Sequence, residues 1–197
     1  VLEYGPSQGI DLYRESLVHY YHNLGIELKV DDIIVTTGGS EAITFAMMVV
    51  GEVGDEIIVP EPFYTNYNGF ATMAGINLKP LTTYAENGFA LPADALIEEK
   101  ITPKTKAIML CNPGNPTGTV YSREEIFRIA ALAKRKGLYF ISDEVYREFI
   151  YDGLSHTSVL EVPGFEENAI LVDSVSKRYS ACGARIGCIV SRNKEIM

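Results

Sequence analysis

The stretch AIMLCNPGNPTGTVYSREEIFRIAALAKRKGLYFIS, residues 107–142, contains one strand–helix–strand unit and decides the fold class. Its two ends, Ala107–Cys111 and Tyr139–Ser142, are short apolar runs without polar alternation. Such runs are typical of strands that are buried on both faces. Two buried strands joined through a helix predict a parallel pair in an α/β sheet.

The helix of this unit is marked at both ends. Ser122 is followed three residues later by Glu125, and this spacing predicts a capping box at the start of a helix over Arg123–Lys136. Gly137 follows directly and predicts the C-cap, because glycine readily adopts the left-handed backbone conformation that ends helices.

The same alternation continues along the whole chain. Further β-branched runs predict strands at Ile33–Thr37, Glu56–Pro60, Asn77–Thr82, Ala169–Val175 and Gly187–Ser191. Helical patterns lie between the runs at Leu12–Leu24, Ser40–Val50, Tyr64–Ala74 and Pro92–Lys100. We therefore predict an α/β domain with a largely parallel sheet. The last run follows its predecessor too closely for a helical crossover, so we expect it to be antiparallel.

Composition excludes several classes of protein. The 197 residues are 47% hydrophobic and 22% charged, which excludes a disordered or low-complexity chain. The formal net charge of −9 argues against a nucleic-acid partner. The longest apolar run, around Ala42–Gly51, is too short to span a membrane. Three scattered cysteines argue against a disulfide framework and favour a reducing, cytoplasmic compartment. The start at Val1 and the apparent helix start at 192–196 favour a piece of a longer protein.

Chemically capable residues follow the predicted strands, and in such sheets ligands bind at the carboxyl ends of the strands. Gly38-Gly39 before a helix could form an anion cradle or a plain turn. Asn112–Gly118 could be a functional loop or only a tight connection. Asp143 could be a buried acid or an exposed turn acid. Lys177, which we place at the close of a buried strand, could be functional or could reach solvent through its long stem.

Three motifs together identify a family. They are Ser174–Gly187 (SVSKRYSACGARIG), Asn115–Gly118 (NPTG) and the Asp143-x-x-Tyr146 pair. In their order and spacing they resemble the aspartate aminotransferase family, which comprises class I/II aminotransferases of the fold-type-I pyridoxal-phosphate enzymes. The resemblance runs from Tyr4 to about Ser191. It implies a three-layer α/β/α fold with a mostly parallel, seven-stranded sheet and one antiparallel strand.

The resemblance also implies roles around the cofactor ring. Lys177 would form a Schiff base with pyridoxal 5'-phosphate and then act as the catalytic acid and base. Asp143 would pair with the pyridine nitrogen. Asn115 and Tyr146 would hydrogen-bond the phenolic oxygen of the ring, and Tyr64 would stack on its face.

Further residues are implied to bind the cofactor phosphate. They are Gly39, Ser40, Ser174, Ser176 and Arg185, of which Arg185 offers a two-pronged guanidinium. Tyr4 matches the tyrosine that family members contribute to the phosphate site of the neighbouring subunit, which implies a homodimer. Arg178 directly after Lys177 is either a second cation acting on the lysine or a side chain directed away.

The resemblance implies that residues 1–197 are the cofactor-binding large domain and that the small domain, with its carboxylate-binding arginine, is absent from this chain. The predicted function is amino-group transfer between an L-amino acid, with aspartate as one candidate, and a 2-oxo acid. A C–S β-lyase and a non-catalytic regulator domain are the alternatives. We predict no metal site, since His19 and His22 have no evident third ligand. We expect Cys111, Cys182, Cys188 and Tyr67 to serve in packing.

Overall fold

A seven-stranded mixed sheet forms the centre of the computed structural model, which describes residues 3–197. The strands are β1 (Ile33–Thr36), β2 (Glu56–Glu61), β3 (Asn77–Thr82), β4 (Thr105–Cys111), β5 (Tyr139–Asp143), β6 (Ala169–Ser174) and β7 (Gly187–Val190). Their spatial order is β1-β7-β6-β5-β4-β2-β3. β7 is antiparallel to both of its neighbours, and the other pairings are parallel. The predicted fold class and the single antiparallel strand are confirmed.

Six α-helices accompany the sheet in the described residues. They are α1 (Asp11–His22), α2 (Gly38–Val50), α3 (Tyr67–Ala74), α4 (Asp94–Glu98), α5 (Arg123–Lys136) and α6 (Val175–Arg178). α5 begins with the predicted capping box of Ser122 and Glu125 and ends at Gly137, whose φ is 68°. This helix confirms the prediction at both ends, because its stop and start signals are local.

Residues that alternate along the central strands divide between two hydrophobic cores. In β2, Ile57 packs in the core beneath α2 and α3, while Ile58 packs in the core beneath α1 and α5. Ala107 and Ile108 of β4 divide in the same way. Both faces of the sheet are therefore covered by helices, which explains the continuous apolar runs and gives the three predicted layers.

Two predicted helices are shorter in the structure. α3 begins at Tyr67 rather than at Tyr64, since the Tyr67 amide closes a turn onto the Tyr64 carbonyl at 2.9 Å and Asn66 takes the N-cap position. α4 covers only Asp94–Glu98 of the predicted Pro92–Lys100. The correction at α3 matters, because it places Tyr64 in the loop that precedes the helix.

None of the helices in residues 3–197 is both long and apolar enough to cross a membrane.

Candidate active site

A cleft of about 220 Å³ lies where β5 and β6 end and α2 begins. Every predicted cofactor-binding residue except Tyr4 lines it, namely Gly39, Ser40, Tyr64, Asn115, Asp143, Tyr146, Ser174, Ser176, Lys177 and Arg185. The carboxyl ends of parallel strands share one edge of the sheet, and this topology brings together residues that are far apart in the sequence.

Asp143 forms one end of the cleft and is buried as the last residue of β5. Its Oδ2 accepts a hydrogen bond from the Tyr67 hydroxyl at 2.6 Å, and its Oδ1 accepts one from the Val145 amide at 3.3 Å. Of the alternatives that the sequence left open, the buried acid is the one that the structure has. Within residues 3–197, Asp143 forms no ion pair with a lysine, arginine or histidine.

Burial controls the protonation of this pair. Removal from water raises the pKa of Asp143 to about 6, although the hydrogen bonds from Tyr67 and Val145 oppose the rise. Burial, and then the charge of Asp143, raise the pKa of Tyr67 well above its ordinary value. Tyr67 therefore keeps its proton and donates a hydrogen bond to the carboxylate. A buried carboxylate without a cation is expensive, so Asp143 is suited to meet a positively charged group.

Lys177 lies in the turn after β6. The strand ends at Ser174, one residue before its predicted end, and Lys177 belongs to the four-residue α6 that follows. Its side chain is exposed but lines the cleft, with Nζ 5.8 Å from the centre of the Tyr146 ring. Ser174 is the N-cap of α6, and its side-chain oxygen accepts a hydrogen bond from the Ser176 amide.

A glycine turn and Arg185 form the opposite end of the cleft. Gly38 has a φ of +76°, and a Cβ there would lie 2.5 Å from Nη2 of Arg185. A Cβ on Gly187 would lie 2.5 Å from the Gly38 carbonyl carbon. Only glycines allow this close approach, which brings the guanidinium beside the first turn of α2. The free amides and positive dipole end of this 13-residue helix then favour an anion at the same place.

The two serines sit between these ends. Ser174 Oγ lies 2.8 Å from Ser176 Oγ and 3.0 Å from the Ile186 carbonyl, and it accepts a hydrogen bond from the Ser176 amide at 3.1 Å. Ser174 therefore caps α6 and ties it to the segment before β7.

Aromatic side chains and an amide form the rest of the wall. Tyr64 meets the Tyr67 ring edge-on at 5.5 Å, and its hydroxyl accepts a hydrogen bond from Asn66 at 2.8 Å. Asn115 lies in the turn after β4, between two cis Asn-Pro bonds. Tyr146 is half-buried and packs on Phe149.

Tyr4 is fully exposed and does not line the cleft of its own chain. This position leaves open its predicted contribution to a neighbouring subunit.

Sequence reasoning missed several residues of the cleft. Tyr67 and the cysteines Cys111 and Cys182 were expected only to pack, but Tyr67 holds Asp143 and both cysteines line the wall, with Ile43 and Val145. As for metals, residues 3–197 hold no cluster of three His, Cys, Asp or Glu side chains suited to an ion. His22 instead pairs with Glu27 at 2.7 Å on an exposed surface.

Comparison with known proteins identifies the family. The family model for aminotransferase class I and II matches residues 1–197. The chain belongs to this family. An aspartate aminotransferase of Pyrococcus horikoshii is 34% identical to this aminotransferase-family chain over 194 residues, which are 98% of the chain and 49% of that protein.

Solved structures agree with this assignment. The aromatic aminotransferase of Pyrococcus horikoshii OT3 has a TM-score of 0.93 at 31% identity, covering 98% of this chain and 52% of that one. The aspartate aminotransferase of Thermus thermophilus with maleate has a TM-score of 0.91 at 32% identity, covering 98% and 50%. The chain thus spans about half the length of the aminotransferases that it matches.

Proposed function

We propose that the full-length protein is a pyridoxal-phosphate-dependent aminotransferase that moves an amino group between an L-amino acid and a 2-oxo acid. One observation carries the proposal: a buried carboxylate to which residues 3–197 supply no cation, a lysine and a glycine turn with an arginine all line one cleft. These groups match the ring nitrogen, the aldehyde and the phosphate of the cofactor in kind and in number.

The donor set fits the cofactor at both ends of the cleft. Asp143 would face the ring nitrogen and hold it protonated, since the positive charge would offset the cost of the buried carboxylate. At the other end, the amides of Gly39 and Ser40 and the guanidinium of Arg185 would hold the phosphate, with Ser174 and Ser176. Because Gly38 has no Cβ, the Arg185 guanidinium can lie beside these amides.

Lys177 would attach the cofactor covalently through its ε-amine and afterwards carry the proton removed from the substrate Cα. When bound, pyridoxal phosphate supplies a ring that stabilises the negative charge left on that carbon. Asn115 and Tyr146 would orient the ring by hydrogen bonds to its phenolic oxygen, and Tyr64 would cover one face of it.

The residues 1–197 would form the cofactor-binding large domain of a longer protein. The chain's coverage of about half of its relatives supports this division. The groups that bind the substrate α-carboxylate would lie in the remaining part. Aspartate is the first amino donor to test, because relatives over this span bear the name aspartate aminotransferase.

A homodimer is the proposed assembly. Phe45, Met48 and Val49 are exposed at helical spacing on α2, and Met73 is exposed on α3, which packs beside it. An apolar face of this kind favours an interface between copies of the chain. Tyr4, free of its own cleft, would reach the phosphate site of the partner subunit. In full-length protein, Met48→Glu should shift the sedimentation-derived mass toward the monomer.

The reducing cytoplasm is the proposed compartment. Cys111, Cys182 and Cys188 are all free thiols, and Cys182 is exposed. An exposed thiol at the cofactor cleft is more compatible with a reducing than with an oxidising environment.

The covalent attachment can be tested directly. Full-length protein is incubated with pyridoxal phosphate, reduced with borohydride, digested and mapped by mass spectrometry. We expect the added mass on the peptide that contains Lys177, and none on that peptide in Lys177→Ala. Lys106, a surface lysine paired with Asp55, serves as the matched position that should stay unlabelled. A label elsewhere, or no label, contradicts the proposal.

The reaction itself is tested by a half-reaction screen. Single amino acids are added to the loaded full-length protein, and the loss of cofactor absorbance and the product are followed. An aminotransferase releases the matching 2-oxo acid and keeps the amine on the enzyme. A β-lyase instead releases ammonia and the eliminated group, and that outcome would replace the proposed reaction.

A further inference from the structure

The helix that carries Lys177 is too short to be stable alone. α6 has four residues, and helices shorter than about 12 residues are marginal in water without tertiary support. Lys177 itself is exposed and makes no side-chain hydrogen bond or ion pair within residues 3–197. Whatever fixes the direction of Lys177 must therefore act through its neighbours.

The next residue, Arg178, is the last residue of α6, and its side chain forms a buried ion pair. Its Nη2 lies 2.6 Å from Oδ2 of Asp173, and the two side chains are 6% and 1% exposed. Asp173 is in β6, so this ion pair joins the strand before Lys177 to the residue after it. The Ser174 amide, 2.7 Å from Oδ1 of Asp173, closes the turn between them.

Groups from two other elements complete this anchor. The Tyr21 hydroxyl of α1 donates to Oδ2 of Asp173 at 2.8 Å. The Tyr20 ring lies 4.1 Å from the Arg178 guanidinium carbon, and Glu148 Oε1 lies 3.5 Å from Nε of Arg178. Arg178 is thus fixed to α1 and to the segment after β5.

We propose that the buried Asp173–Arg178 ion pair, completed by Tyr21, is a positioning device that holds the α6 turn so that Lys177 enters the cleft. Lys177 lines the cleft and Arg178 does not. The sequence left two alternatives for Arg178: a second cation acting on Lys177, or a side chain directed away. The structure has the second, since the charge of Arg178 is balanced by Asp173 and its side chain does not line the cleft. The inference rests on the proposed role of Lys177.

The first test uses cofactor-free, full-length protein, so that it does not depend on cofactor chemistry. Amide hydrogen exchange is measured for peptides covering residues 174–180, and acylation of Lys177 by an acetyl N-hydroxysuccinimide ester is measured by mass spectrometry. We expect Arg178→Met to speed exchange in this segment by about tenfold or more and to change the acylation rate. Arg178→Lys, which keeps the charge, should recover part of the protection against exchange that Arg178→Met loses.

A matched control comes from α5. Arg135 pairs with Glu98 at 2.8 Å on the surface, outside the cleft, so Arg135→Met should change neither readout. Unchanged exchange and acylation in a folded Arg178→Met protein would overturn the proposal. If that variant does not fold, Tyr21→Phe removes only one hydroxyl, and an unchanged exchange rate in that variant overturns the proposal instead.

A second test separates positioning from simple support. In loaded enzyme, borohydride trapping counts the occupied sites, and kcat is expressed per occupied site. We expect Arg178→Met to lower this kcat by about tenfold while KM for the amino acid changes less than about twofold. An unchanged kcat per occupied site would show only structural support and contradict the proposal. A label away from Lys177 would contradict the proposed function but leave the hydrogen-exchange result standing.

Discussion

Two buried aspartates at neighbouring strand ends differ in their charged partners. Asp143 ends β5 and Asp173 lies near the end of β6; both are buried, and each accepts a hydrogen bond from a buried tyrosine, Tyr67 or Tyr21. Asp173 also has the Arg178 guanidinium at 2.6 Å. Within residues 3–197, Asp143 has no such partner, and burial raises its pKa to about 6.

The difference distinguishes a structural carboxylate from a functional one. A buried ion pair is complete within the protein, and removal of one partner leaves the other as an unbalanced buried charge. A buried carboxylate without a cation remains free to bind one from outside. We infer that Asp143 acts on the cofactor and that Asp173 acts on the protein.

The largest expected effect is on turnover. Asp143→Ala and Asp143→Asn in the full-length protein should still bind pyridoxal phosphate but lose amino-group transfer by about 10²–10⁴-fold, because the ring nitrogen loses its counter-charge. Steady-state kinetics with aspartate, normalised to cofactor content, measure this. Near-normal turnover in either variant would contradict the role given to Asp143.

The second expected effect is on stability. Asp173→Asn should lower the free energy of unfolding by about 3 kcal/mol, since it leaves the Arg178 side chain with only the half-exposed Glu148 carboxylate, 3.5 Å away, as a counter-charge. Urea unfolding of the cofactor-free full-length protein measures this. Asp143→Asn, at a site with no cation, should not lower stability, and an equal loss in both variants would remove the distinction between the two aspartates.

The third expected effect is on the pH dependence of stability. The folded protein raises the pKa of Asp143 from 3.8 to about 6, so between these values the folded state holds a proton that the unfolded state has released. The contribution of Asp143 is complete below pH about 4 and falls by about 3 kcal/mol as pH rises to about 6. As pH rises across this window, the unfolding free energy of the wild type should therefore fall relative to that of Asp143→Asn. Parallel curves would argue against the raised pKa.

The smallest expected effects come from the two tyrosines. Tyr67→Phe and Tyr21→Phe each remove one hydroxyl donor to a buried carboxylate. Each should lower the free energy of unfolding by about 1.5–3 kcal/mol. Because the Tyr67 hydrogen bond opposes the rise in the pKa of Asp143, Tyr67→Phe should raise that pKa further in the cofactor-free protein and extend the fall in unfolding free energy to higher pH. Tyr21→Phe should leave this pH dependence unchanged. A shift in both, or in neither, would contradict the assignment.

Most of the fold was predictable from the sequence because its signals are local. The apolar runs, the capping box at Ser122 and the glycine at 137 each depend on a few adjacent residues. The start of α3 was not predicted, since the polar residues Thr65 and Asn66 form a turn before Tyr67 without changing the apolar spacing. The end of β6 was predicted one residue too late for a similar reason, because Val175 continues the apolar run but already belongs to α6.

The candidate site was predictable in its members but not in its contacts. Residues that follow the strands share one edge of the sheet by topology, so motifs alone brought them together. The donor to Asp143 is 76 positions away in α3, and the donor to Asp173 is 152 positions away in α1. Which helix residue meets which strand end depends on packing across the sheet, and no spacing in the sequence records it.

The reversed direction of β7 has a consequence for how the site is arranged. The chain leaves the sheet after Ser174 and re-enters it at Gly187, its register partner, on the same edge. Lys177 and Arg185 therefore lie on one loop. A hydrogen bond of 3.2 Å from the Val175 amide to the Ile186 carbonyl closes the base of this loop. A parallel strand would have carried Arg185 to the far rim of the sheet. The groups proposed for the aldehyde and the phosphate of the cofactor thus lie on one loop with a common base in the sheet, so the geometry of that loop sets the distance between them.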